Sequence, residues 1–421
     1  MNTQSQTQIF EQYESEVRSY CRSFPTVFQY AKGSTMRDEN GKTYIDFFCG
    51  AGAVNYGHNN DYIKEKLIRY LQSDGIVHSL DMYTTAKREF IDFFEEKVLK
   101  ARGLDYKIQF TGPTGTNGVE AALKLARKVK KRSNVIALMG AFHGMTLGSL
   151  ALTCDKSSRQ GAGLPLHDVT HIPAPYMFPE LDTTAYLERI LQDDHSGVEH
   201  PAAVVIETVQ AEGGIYVFDV EWLRRIREIC DKYDMLLIVD DVQVGCARTG
   251  TFFSFERAGI VPDIVVMSKS IGGYGLPFAL TLLKPELDIW EPGEHNGTFR
   301  GNQLSFVAAK AGLEILLNES VEMQVVRKGE IVRKFLEEQV LSLDTRLEMR
   351  GIGLIWGLDF SKFEDVDFSR RVMVECFRRG LIVERVGRKN VVLKLMPPLV
   401  IEDELLLEGL RILQESVAAL L

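Results

Sequence analysis

Between about residues 86 and 316, four short apolar runs recur among stretches of helical texture: NVIALM from Asn134, AAVVIE from Ala202, MLLIVD from Met235 and DIVVM from Asp263. Strands covered on both faces read as unbroken apolar runs, so this pattern predicts a mainly parallel sheet flanked by helices, an α/β architecture. Ligands of such sheets bind outside the carboxyl ends of the strands. Glu207, Asp240 and Lys269 fall there, and Lys269 is followed by the glycine-rich loop SIGGYGLP. A large domain is expected over 86–316, with 1–85 and 317–421 forming the two parts of a smaller α+β domain. The first part opens with an amphipathic helix pattern. It continues into GSTMRDENGKTYIDFF, two short strands joined by the turn residues Asp38 to Gly41. The last part sets GLIWGLDF and NVVLKLMPP among long charged amphipathic helices.

A chain of 421 residues with 45% hydrophobic and 25% charged residues can enclose a shaped cleft. Its formal charge of -9, without an arginine-rich block, argues against a nucleic-acid partner. The opening MNTQSQTQIFEQYESEV lacks the basic and apolar regions of a signal peptide, and no run approaches the roughly 18 apolar residues of a spanning helix. A cytoplasmic protein without membrane association is the expectation. The six cysteines are scattered and the eight histidines show no ligand spacing, so reduced thiols and no metal centre are expected.

Asp240 ends the apolar run LLIVD, where a carboxylate is costly unless a cation meets it. A pyridinium nitrogen is such a cation. In a pyridoxal phosphate site an acidic residue keeps the ring nitrogen protonated while a lysine holds the cofactor aldehyde, which suits Lys269 as covalent anchor and proton-moving base. The stretch FTGPTGTNGVEAALKLARKVKK places Gly115 and Thr116 at the start of a helix in which Val119, Leu123 and Ala126 recur on one face. Free N–H groups there face an anion such as a phosphate. Each feature has a bland counterpart: Lys269 as a solvated lysine, Asp240 as a helix cap, Phe142 as core, Glu207 and Glu212 as loop acids. Their order along successive strand ends of one sheet favours the joint reading.

Over FPTVFQYAKGSTMRDENGKTYIDFFCGAGAVNYGH, TGPTGTN, AFHGMT, IETVQAEGG, IVDDVQVGCARTG, MSKS, GTFRGNQLS and MPPLVI the chain resembles the class III aminotransferases, fold type I pyridoxal-phosphate enzymes. The resemblance implies Lys269 as the covalent anchor of pyridoxal 5'-phosphate and Asp240 as the partner of its ring nitrogen. It further implies Gln243 near the ring hydroxyl, Phe142 stacked on the ring, and Gly115 and Thr116 at the phosphate. Thr298 would reach that phosphate from the neighbouring subunit, making a homodimer with shared sites and leaving larger assemblies open. The stretches ESEVRSYCRSFPTVF, DGIVHSLDM, RGLDYKIQFTGPTGTN and NGTFRGNQL resemble the subgroup that serves ectoine biosynthesis. That implies ping-pong amino transfer from L-glutamate to L-aspartate 4-semialdehyde, giving L-2,4-diaminobutyrate and 2-oxoglutarate. The alternatives are an ornithine or 4-aminobutyrate aminotransferase, an aminomutase or racemase, and, outside the class, a noncatalytic binding protein. Lys394 and Met145 stand where ornithine-type members carry carboxylate-binding arginines, and Ala211 and Ala247 stand where glycines are common. The residues holding the substrate carboxylates are thus left open, with Glu207 and Glu212 on the entry side and a Lys394–Glu212 pair as one arrangement.

Overall fold

A seven-stranded sheet runs in the order Lys107–Phe110, Ala279–Leu283, Ile264–Ser268, Leu236–Asp240, Ala203–Ile206, Val135–Leu138 and Val169–Ile172. In this computed structural model, which describes residues 7–421, the last five of these strands are mutually parallel. Ala279–Leu283 is antiparallel to both neighbours. The four apolar runs are therefore strands of one mainly parallel sheet, and every residue of Leu236–Asp240 and Ile264–Ser268 is buried. Helices such as Gly115–Lys130, Val220–Lys232 and Gln303–Asn318 cover it; the first packs through Val119, Leu123 and Ala126, the face that the spacing anticipates.

Residues from both ends of the chain share a second sheet. Thr35–Asp38 and Thr43–Asp46 form the expected hairpin around Gly41, whose N–H donates to the Asp38 carbonyl at 3.0 Å. Thr43–Asp46 then pairs in parallel with Leu381–Ile382. A third, antiparallel sheet joins Glu348–Ile352, Ile355–Asp359, Val392–Leu395 and Glu384–Val386. A fully buried guanidinium ties these parts together: Arg248 donates to the carbonyls of Leu354 at 2.9 Å and Pro397 at 2.5 Å and to Asn55 Oδ1 at 2.5 Å. The helix expected at the N-terminus is the six-residue Gln8–Tyr13, with no buried residue; its apolar side chains Ile9, Phe10 and Tyr13 are exposed. The polar opening, residues 1–6, lies outside the described residues. Among the described residues all six cysteines are free, and no helix is long and apolar enough to cross a membrane.

The loop after Lys269 is glycine-rich for a steric reason. Gly273 has φ 77°, and a Cβ there would lie 2.1 Å from the Ala308 carbonyl oxygen of the helix Gln303–Asn318. No side chain fits between loop and helix, so the turn carrying Lys269 is pressed directly on helix backbone. Gly273→Ala should lower the unfolding free energy by about 3 kcal/mol or more, from left-handed strain and overpacking together. Urea denaturation measures it; an unchanged midpoint would refute this account of the loop.

Candidate active site

Parallel register brings the three ionisable strand ends together. Val239 pairs with Ile206 and Asp240 with Val266, so Glu207 stands beside Asp240 and Lys269 just beyond the neighbouring strand. All three line a cavity of about 160 Å³ together with Gly115, Thr116, Phe142, Glu212 and Gln243. Lys269 opens the turn Lys269–Gly272 with φ 54°, a left-handed conformation costing a non-glycine residue roughly 1–2 kcal/mol. Its amine has no hydrogen-bond or ion-pair partner among the described residues. Burial lowers its pKa; Glu212 opposes that, while the positive charge of Lys394 adds to it.

Asp240 is buried, with one carboxylate oxygen 2.8 Å from His143 Nδ1 and the other accepting the Val242 N–H at 3.2 Å. His143 arrives on the loop after Val135–Leu138, fixed by its own N–H donating to Thr153 Oγ1 at 2.9 Å. Burial works against a charged imidazole, but the hydrogen bond and charge of Asp240 outweigh it and raise the pKa above the ordinary value. Its Nε2 is buried without a partner. Glu207 accepts the Phe142 N–H at 3.0 Å. Burial pushes its carboxyl up to about 7, with His143 pulling the other way.

On another side, Gly115 and Thr116 begin the helix Gly115–Lys130, where backbone N–H groups lack intrahelical acceptors. A Cβ on Gly115 would meet Val242 Cγ1 at 3.0 Å, and one on Gly144 would come within 2.4 Å of Thr116 Oγ1. Both glycines thus keep a narrow wall from closing. Gln243 donates from Nε2 to the Ala51 carbonyl at 3.0 Å and to Glu212 Oε1 at 3.1 Å.

Lys394 does pair with Glu212, but not with Glu212 alone. Its Nζ is 2.5 Å from Glu212 Oε1 and 2.8 Å from Glu384 Oε2, and its side chain is fully buried. Glu384 is the cross-strand partner of Lys394 in antiparallel register. Burial would discharge the ammonium, yet the two carboxylates more than compensate and raise its pKa. Glu212 is held below the usual range, burial notwithstanding, by Lys394 and Lys269. Burial raises Glu384 in spite of Lys394, with the charge of Glu212 adding to the effect. Thr298 lies outside this cavity on an exposed loop, its carbonyl 3.0 Å from His78 Nε2. Met145 is exposed. Sequence reasoning missed His143 and Glu384; the first is legible only as the neighbour of Phe142 in AFHGMT, and the second had no local signal.

Residues 18–417 match the family described as aminotransferase class-III. The chain belongs to that family. It is 54% identical to a diaminobutyrate–2-oxoglutarate transaminase of Halalkalibacterium halodurans, covering 99% of this chain and 98% of that protein. It is 52% identical to a transaminase of the same description from Streptomyces coelicolor, covering 99% and 98%. Among solved structures, an aminotransferase from Bacillus anthracis superposes with a TM-score of 0.87 at 25% identity, over 100% of both chains. An ornithine aminotransferase from Toxoplasma gondii, with partial occupancy of PLP at its active site, does so with 0.85 at 25% identity, over 98% and 94%. The cofactor of class III aminotransferases is pyridoxal 5'-phosphate, and the cavity fits it. A partnerless lysine amine, a buried carboxylate, an aromatic side chain and a glycine-opened helix start face one space.

The Glu207 carboxyl gives this aminotransferase a pH signature. Its folded pKa of about 7 lies above the ordinary 4.5, so its contribution to stability is complete below the unfolded value and is lost as pH rises through the folded one. With cofactor removed, Glu207→Gln keeps an acceptor for Phe142 and should be more stable than wild type by about 1–3 kcal/mol above pH 8 and no more stable near pH 4.5. Denaturant titrations at the two pH values test it; equal differences at both would reject the assignment.

Proposed function

We propose that this aminotransferase transfers the amino group of L-glutamate to L-aspartate 4-semialdehyde, giving 2-oxoglutarate and L-2,4-diaminobutyrate. The observation that carries the reading is the 54% identity, over nearly the full length of both proteins, to a diaminobutyrate–2-oxoglutarate transaminase. We place the reaction in the cytoplasm, in a ping-pong sequence that supplies ectoine biosynthesis.

Lys269 would hold the cofactor covalently through Nζ, Asp240 would face its ring nitrogen, and Phe142 its ring. Gln243 would meet its ring oxygen, and Gly115 and Thr116 its phosphate. When bound, pyridoxal phosphate supplies the electron sink that makes a carbon-bound proton removable. The chain supplies the base. With its pKa lowered by burial, the Lys269 amine is uncharged at a lower pH than a solvated lysine; it takes the proton from the donor carbon that bears the amine and, in the second half-reaction, delivers one to the acceptor carbon that gains it. His143, whose pKa is raised by Asp240 against the effect of burial, holds that carboxylate through Nδ1 at 2.8 Å. Glu207 and Glu212 border the space where the substrate sits.

We further propose a homodimer in which Thr298 reaches the partner's phosphate site. Support comes from the apolar side chains exposed near it: Ile76, Val77, Met82, Tyr83 and Phe299 are each at least half exposed, and His78 links that segment to the Thr298 loop. Sedimentation should give twice the 47.5 kDa of one chain; a monomeric, fully active enzyme would rule this out.

Lys269→Ala should lose both the visible absorption of covalently held cofactor and turnover, the latter by at least about a hundredfold. Undiminished activity would overturn the role of Lys269. With glutamate as donor, aspartate semialdehyde should be the best acceptor; preference for the aldehydes of ornithine or 4-aminobutyrate metabolism would move the enzyme to another subgroup.

A further inference from the structure

The ionised groups nearest Lys269 are already matched in sign, and the cations without a carboxylate lie next door. Lys394 is shared by Glu212 and Glu384, so a substrate carboxylate reaching it would be the third anion around one ammonium. A second cavity of about 840 Å³ adjoins the first, with Phe142 and Glu212 on the wall of both. Five basic residues line it, Lys156, Arg159, Arg385, Arg388 and Lys389, against the acids Asp155 and Glu212. In a chain of formal charge -9 this is a locally cationic cleft.

The five are not equivalent. Arg159 spends one guanidinium nitrogen on the carbonyls of Leu150, Ala151 and Thr153 at 2.7–3.0 Å. Arg385 feels the charges of Arg370 and Asp367. Among the described residues Arg388 donates only to neutral acceptors, Tyr176 Oη at 3.1 Å and Met177 Sδ at 3.4 Å. Its surroundings are nevertheless firm. Tyr176 stacks on Tyr216 with ring centroids 3.4 Å apart and donates its hydroxyl to Gln210 Oε1 at 2.8 Å. The Gly387 N–H donates to the Glu212 carbonyl at 2.9 Å, so the turn carrying Arg388 hangs on the backbone of a residue that borders the Lys269 cavity.

We infer that Arg388 is a specificity-determining residue that binds the substrate carboxylate remote from the reacting carbon. This rests on the amino transfer proposed above. In L-glutamate, reacting at its α-carbon, and in L-2,4-diaminobutyrate, reacting at C4, that carboxylate lies the same number of bonds from the reacting carbon. One anchor in the outer cavity therefore serves both half-reactions, and the planar guanidinium offers the carboxylate two parallel hydrogen bonds that a lysine cannot.

The test uses holoenzyme and two readouts: single-turnover half-reactions with glutamate, diaminobutyrate and L-alanine, which has no remote carboxylate, and calorimetric binding of glutarate. Arg388→Gln should weaken glutarate and the half-saturation of both glutamate and diaminobutyrate about tenfold or more, leave the alanine half-reaction unchanged, and be partly rescued by Arg388→Lys. Unaltered glutarate affinity overturns the inference, as does an alanine reaction that falls in step with the others. If wild type reacts with neither glutamate nor diaminobutyrate, the proposed function fails, while glutarate binding still decides whether Arg388 is a carboxylate anchor.

Discussion

A carboxylate at the tip of an apolar strand is tolerable only against a cation, and the site is organised around meeting that condition for Asp240. Parallel register puts Glu207 on one side of it and the Lys269 turn on the other. His143 closes the remaining side at 2.8 Å. Each member of the resulting group is held by a hydrogen bond: Asp240 accepts the Val242 N–H, the His143 N–H donates to the Thr153 hydroxyl, and Glu207 accepts the Phe142 N–H. A residue so held can face a ring cation without moving, which is the preorganisation that an electron-sink cofactor requires. Lys269, in contrast, sits on a turn pressed against helix backbone at Gly273, and its amine has no hydrogen-bond partner among the described residues. Fixed stem and free tip suit a group that must leave one carbon and serve another.

The second organising element is Lys394. Burying one ammonium is expensive, and a single carboxylate seldom repays the desolvation; two carboxylates at 2.5 and 2.8 Å keep it charged. A point charge accepts partners from any direction, whereas a guanidinium presents a flat fork. Lysine therefore suits a position flanked by one acid from its own sheet and one from the loop after the central sheet. The arrangement also joins two parts of the fold, and the same seam carries the Gly387 N–H donating to the Glu212 carbonyl at 2.9 Å and Arg350 Nε donating to the Gly214 carbonyl at 2.7 Å.

Much of this is legible in the sequence. The four all-apolar strands were readable because burial on both faces leaves no alternation. The edges Lys107–Phe110 and Val169–Ile172 were not, since neither carries an unbroken buried run, and no sequence pattern marks Ala279–Leu283 as the strand that runs backwards. At the site, residues that follow strands were readable from position: Glu207, Asp240 and Lys269 do share one cavity with Phe142, Gln243, Gly115 and Thr116. Glu384 escaped because its pairing depends on antiparallel register across the turn that follows it. His143 escaped because its role comes from a loop folding back over a strand far along the chain. Register and loop path are tertiary facts, and composition and periodicity do not encode them.

The charges divide into two compartments with different physical tasks. Around Lys269 the basic groups Lys269, His143 and Lys394 stand against Asp240, Glu207, Glu212 and Glu384, with Glu207 near neutral at about 7 and Glu384 raised as well. That near balance keeps a low-dielectric interior from favouring either protonation state of Lys269 too strongly, so a proton can be taken and returned. The outer cavity is unbalanced, with five cations against two acids, and a cleft lined by one sign of charge focuses the field toward incoming anions. A dicarboxylate donor, as proposed above, would be drawn by the outer wall and react at the inner one. Placing attraction and chemistry in adjoining spaces would let the enzyme hold a substrate carboxylate without adding positive charge beside the amine whose pKa it must keep low.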